Sequence, residues 1–196
     1  MRRFIYIIIV LLADNLSPEE IIGQRLSLSY VEHHVIPEEI NDVVKIGGLS
    51  AIAYNSHLQK YSTAVDKPPS RLINLNLEEY LPESINLIGP QPLSSSELEG
   101  IAFDSINNWY YLSDEQSVGT RIMKVDTFGN FLEVVLPKNL PFLKLSSHNS
   151  GIEGLSLNKT ADQLYFAFER PTESCFEQNI TTIGLINLEN HKVNLY

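Results

Sequence analysis

A chain of 196 residues with 43% hydrophobic and 19% charged positions has the balance of a core-forming globular protein, which excludes a disordered one. With 24 acidic against 14 basic residues the net charge is −10, and no Lys/Arg run follows the first three positions, which argues against nucleic-acid binding. Cys175 is the single cysteine, so an intramolecular disulfide and any paired-cysteine metal or redox site are excluded.

In chain order, Met1-Arg2-Arg3 precedes ten apolar residues, Phe4 to Ala13. A spanning helix needs about 20, so residues 1–13 read as an export signal with no convincing cleavage site. The expected location is secreted or periplasmic. No stable membrane span is expected unless this leader stays uncleaved as an anchor. The folded domain is expected over 25–196. It opens on Arg25 to Val35, where Leu26, Leu28 and Tyr30 alternate as in a strand ended by Pro37, and Pro37 to Val44 reads as a short helical turn. Three four-strand units come next. The first has strands near 49–54, 60–65, 71–77 and 85–88. The second has strands near 101–103, 109–113, 120–125 and 131–136, separated by turn residues such as Asn107-Asn108 and Gly129-Asn130. A polar loop over 137–151 leads to the third, near 155–157, 163–168, 180–188 and 193–196.

The units share a pattern. Ser50, Glu99 and Glu153 each open a strand entry, and 16 positions later stand Asp66, Glu115 and Glu169. The entries lie 49 and 54 residues apart, the recurrence of propeller blades built from small antiparallel sheets. The fold class is therefore all-β and propeller-like, with about three four-stranded blades. Propellers close with about four to eight blades, so an incomplete propeller is expected: a truncated product, or a chain whose missing blades come from a partner.

The recurring acids carry the candidate chemistry. Asp66, Glu115 and Glu169 end the second strand of each unit and, in a radial arrangement, share one face. Asp66, Glu115 and Glu169 are the candidate metal ligands, because convergent carboxylates suit Ca²⁺. Glu99, Glu115, Glu153 and Glu169 are the candidate catalytic acids and bases. Arginines follow the acids, Arg71 and Arg121 after short loops and Arg170 directly, and their guanidinium forks suit phosphate or carboxylate. The competing reading is a cross-strand pair that only sets register. Asn149 and Glu153 bracket a glycine-rich stretch, Asn149-Ser-Gly-Ile-Glu-Gly154, read as a ligand loop. His33, His34 and His57 lack zinc spacing, and no G-x-S-x-G elbow occurs.

Taken in order, Gly47-Gly48-Leu49-Ser50, Ala64-Val65-Asp66 with Arg71, Leu98-Glu99-Gly100-Ile101-Ala102 with Ser113-Asp114-Glu115 and Arg121, and Asn149 to Leu155 with Phe168-Glu169-Arg170-Pro171 resemble the "esterase-like activity of phytase" family over about residues 45–171. The resemblance implies an exported, propeller-like domain that hydrolyses esters or phosphoesters. It places Asp66, Arg71, Glu99, Glu115, Arg121, Asn149, Glu153 and Glu169 at the family's recurring polar positions. On this reading Arg71, Arg121 and Asn149 bind a small anionic or ester substrate. The alternative is a non-catalytic propeller module that binds a ligand or a protein partner with the same polar ring.

Overall fold

The computed structural model describes residues 39–40, 44–45, 48–66, 69–76, 81–87, 97–116, 119–136, 151–170 and 182–196. The leader at 1–13 and the strand expected at 25–35 lie outside them. Strands β1 (Glu39–Ile40) and β2 (Val44–Lys45) pair antiparallel, Glu39 with Lys45 and Ile40 with Val44. A hairpin thus stands where the sequence predicted a helical turn. A four-residue spacing of apolar side chains serves either, and the β-branching of Ile40 and Val44 favours the strand pair.

Three four-stranded antiparallel meanders make up the rest, the blades of a β-propeller fold. Blade 1 runs β3 (Leu49–Asn55), β4 (Lys60–Val65), β5 (Arg71–Asn76), β6 (Leu81–Leu87). Blade 2 runs β7 (Glu97–Asp104), β8 (Trp109–Gln116), β9 (Gly119–Asp126), β10 (Phe131–Leu136). Blade 3 runs β11 (Ile152–Leu157), β12 (Gln163–Phe168), β13 (Ile183–Asn187), β14 (Val193–Leu195). Each strand of a blade pairs only with its neighbours in sequence, the pattern of a meander.

The hairpins share one chemistry. Asn55 and Asp104 end the first strands of blades 1 and 2, and each accepts two backbone N–H bonds from the next turn through Oδ1, at 2.9–3.0 Å. Asp126 does the same for Phe128 and Asn130, and Asn187 for Glu189 and Asn190. Asn, Asp and Gly are favoured here because they replace backbone partners and tolerate tight turns. Asn158 accepts from the N–H of Asp162 and Gln163 and donates to Thr160 and Asp162, so its amide is spent inside its own turn.

Successive blades pack face to face through strands whose side chains alternate. In β8, Tyr110 and Leu112 point to one side and join Ala64, Leu72, Leu98, Met123 and Val125 in the core between blades 1 and 2. Tyr111 points to the other and joins Ile122, Ile152, Leu164, Phe166 and Ile186 between blades 2 and 3. The period of two that makes a strand amphipathic elsewhere here makes it apolar on both faces. A polar clamp crosses the first interface: Asn55 Nδ2 donates to Tyr110 OH at 2.6 Å, which also contacts Ser62 Oγ at 2.7 Å, while Ser62 donates to Asn74 Oδ1 at 2.6 Å. All four residues are buried, so each polar atom needs such a partner. The first strands sit side by side, β7 touching both β3 and β11.

Candidate functional site

The first strand of every blade carries an irregularity at the same place. Leu49 faces Val65 but Ala51 faces Ala64; Leu98 faces Asp114 but Gly100 faces Ser113; Ile152 faces Phe168 but Gly154 faces Ala167. Ser50, Glu99 and Glu153 are the extra residues, each set in a β-bulge. A bulge re-aims the side chain that the regular pleat would have sent to a sheet face. The residue after each bulge is small: Ala51, Gly100 and Gly154. At Gly100 the reason is steric, since a Cβ there would stand 2.7 Å from Ser113 Oγ and 3.1 Å from the Glu153 carbonyl of the next blade. Glycine lets β11 approach β7 and brings Glu153 up to Glu99.

Glu115 enters from β8. Its partner in register on β9 is Thr120, whose Oγ1 receives the Ile152 N–H at 3.4 Å. Glu115 is therefore directed at blade 3, where it is only 3% exposed. Gly151 lies against it: a Cβ there would be 3.1 Å from both Cδ and Oε2 of Glu115. One carboxylate oxygen from each of Glu99, Glu115 and Glu153 lies within 4.8 Å of the others.

This crowding shifts the acids. Burial first, then the Glu153 charge, push the Glu99 carboxyl up to about 7, with Asp66 and Glu115 adding and a hydrogen bond from Ser50 opposing. Burial, then Glu169 and Glu115, push Glu153 up to about 7 as well. Removing a charge from water and setting it beside like charges both favour the neutral acid. The five acids thus form one row along the mouth where the first strands begin: Asp66, Glu99, Glu115, Glu153 and Glu169. Two of its steps join the last acid of one blade to the bulge acid of the next, Asp66 to Glu99 and Glu115 to Glu153.

The sequence-based ligand set was Asp66, Glu115 and Glu169. The structure brings Glu115 together with the two bulge acids instead, and sets Asp66 and Glu169 as flanking charges. The catalytic candidates Glu99, Glu115 and Glu153 meet, with Glu169 next to Glu153. Arg121 follows the register reading. Arg121 donates from Nε to Asp114 Oδ2 at 2.6 Å, across the β8–β9 ladder, and Asp114 is fully buried. It pairs with the residue before Glu115, because neighbours along a strand point to opposite faces. Arg71 is 7% exposed on β5. In blade 3 the place corresponding to Arg121 falls to Thr182, whose carbonyl receives the Phe168 N–H at 3.2 Å, while Arg170 lies 3.8 Å from Glu169. Asn149 lies outside the described residues. His57 is a surface histidine: its Nε2 is 2.6 Å from the Ser105 carbonyl and its ring meets Phe103 edge-on.

Sequence reasoning missed the role of Asp114 and the bulges, and read Gly151 as part of a ligand loop, where the structure sets it against Glu115. A signal for the bulges was present, an apolar residue, an acid and a glycine written as Leu98-Glu99-Gly100 and again as Ile152-Glu153-Gly154. The donor set is oxygen-only and anionic. That suits a hard cation such as Ca²⁺ or Mg²⁺ and not a soft metal.

No curated protein matches the chain. Among solved structures, one in a nidogen/laminin complex is similar at 13% identity and TM-score 0.51, over 78% of this chain and 49% of that one. Hydrazine synthase of Kuenenia stuttgartiensis is similar at 10% identity and TM-score 0.47, over 85% and 38%, and the RRP9 WD40 repeats at 13% and 0.46, over 75% and 37%. The chain spans about half or less of the length of these structures, and the fold likeness rests on the first. The family model described as "Phytase-like: Esterase-like activity of phytase" matches residues 44–192, which include every acid of the row and all strands of the three blades but the last, and the chain belongs to this phytase-like family.

Proposed function

We propose that the protein is an exported hydrolase of phosphoesters or other esters, working at the acid row with a divalent cation, Ca²⁺ by preference. The observation that carries this reading is the meeting of Glu99, Glu115 and Glu153 within 4.8 Å. Three carboxylates held so close repel one another, and a dication would relieve that repulsion while taking one oxygen of each as a ligand. Such an ion supplies Lewis-acid polarisation of the ester oxygen. Glu115, buried and braced by Gly151, fixes the floor of the site. Glu99 and Glu153 are set on bulges at its rim, where they orient substrate. Glu169, beside Glu153, is exposed and in position to exchange a proton with water.

Export rests on the leader, Arg2-Arg3 followed by the apolar run to Ala13. The second reading, a non-catalytic binding module, is favoured by one observation: Arg121, expected to neutralise the substrate anion, is held by Asp114.

The test is turnover of p-nitrophenyl phosphate and p-nitrophenyl acetate with Ca²⁺ and with EDTA. Turnover that EDTA abolishes is expected, together with a loss of at least about tenfold in Ca²⁺ affinity by calorimetry for Glu115→Gln. Calcium binding without turnover of any ester would instead select the binding module.

A further inference from the structure

Beyond the acid row, the first strands of the three blades border a groove of about 380 Å³. Its walls are Ile52–Tyr54 of β3, Ile101–Phe103 of β7 and Leu155–Leu157 of β11, starting two residues past Ser50, Glu99 and Glu153. These are consecutive residues. A sheet face would contribute alternate ones, so the strand edges border the groove. Each of β3, β7 and β11 is terminal in its sheet, and the edge away from β4, β8 or β12 carries N–H and C=O groups that no ladder uses. Donors and acceptors therefore alternate along three walls, between small and aliphatic side chains such as Ala53, Ala102 and Leu155. Charge is scarce. Lys159 is the one cation bordering the groove among the described residues, and the bulge acids Glu99 and Glu153 stand two residues before two of its walls begin.

We propose that this groove holds the uncharged, hydroxylated alcohol half of a monoester, a sugar-like group whose single anionic end reaches the acid row. A hydroxyl both donates and accepts, which matches alternating backbone groups, and ring C–H faces suit alanine and leucine. A multiply phosphorylated ligand offers only acceptors and needs several cations, whereas Arg121 is tied to Asp114 and Arg71 is buried. Among the described residues the groove thus favours a singly charged ester over a multiply phosphorylated one.

This substrate class rests on the hydrolase reading, yet groove binding is measurable without turnover. The full chain, labelled at Ala, Ile and Leu methyls, is titrated by NMR with methyl glucoside in the absence of metal. Saturable shifts at Ile52, Ala53, Ile101 and Leu155 are expected, and Ser156→Tyr, a change at an exposed groove position, should weaken them about tenfold by filling the space. Shifts confined to other methyls, or an unaltered affinity in Ser156→Tyr, overturn the assignment. With Ca²⁺ present, inositol hexakisphosphate displacing methyl glucoside more tightly than glucose 1-phosphate overturns the preference for a singly charged ester. Groove shifts with no ester turned over uphold the groove and remove the hydrolase reading alone.

Discussion

Glu99 and Glu153 are acids whose neutral form the fold favours more than water does. Each is raised from 4.5 to about 7, so the folded protein binds more protons than the unfolded chain between those pH values. Their contribution to stability is greatest below about 4.5 and falls as the pH rises through 7. The expected outcome for Glu153→Gln is a melting temperature, measured in EDTA, that gains on the wild type as the pH goes from 5 to 7.5. A constant difference over that range would show that Glu153 is not perturbed. Adding Ca²⁺ should shrink the gain, because the cation compensates the wild-type charges. Arg121 makes the opposite case, a charge that stabilises. Its partner Asp114 is fully buried, so Arg121→Met leaves an anion out of water and should cost about 3–5 kcal/mol in urea unfolding. Changing both residues, Asp114→Leu with Arg121→Met, should recover much of that loss. If the double variant is as unstable as the single one, the ion pair is not the origin of the effect.

At the scale of elements, the bulge is the device that turns a structural strand into a functional one. Without it Glu99 would follow the pleat between Leu98 and Gly100, facing a blade rather than the mouth. Gly100 sets the spacing of β7 and β11, and Gly100→Ala forces a Cβ to within 3.1 Å of the Glu153 carbonyl. Backbone cannot yield as a flexible side chain does. About 1–3 kcal/mol of destabilisation is expected, together with weaker Ca²⁺ binding, since the same contact sets the distance between Glu99 and Glu153. Calorimetric Ca²⁺ titration of the folded variant separates the two effects. Unchanged affinity would show that the glycine serves packing alone. The strands themselves were largely legible: β4, β10 and β12 have the ends that alternation gave. Strands β7 and β11 begin earlier than expected, at Glu97 and Ile152, because the bulge breaks the alternation there while hydrogen bonding continues past it.

For the whole molecule, blade 2 is the element the others depend on, since the two buried clusters lie on its opposite faces. Leu112→Ala empties a fully buried site on one side and Phe166→Ala on the other. Each should cost roughly 2–5 kcal/mol, and each should shift a single unfolding transition seen both by far-ultraviolet circular dichroism and by Trp109 fluorescence. Two separated transitions would mean that the blades unfold independently.

By itself the sequence determined the local structure and its repetition. Alternation, Asn and Asp turns and the 16-residue interval gave three four-stranded units, and the ordered motifs gave the family, because these depend on neighbours along the chain. Only the tertiary structure decided which acids meet. A carboxylate's direction depends on pleat parity and on one extra residue in a strand, so Glu115 faces the bulge acids of β7 and β11 while Asp114, one position earlier, turns away to hold Arg121. A one-residue shift of register reverses every side chain, and composition cannot report that.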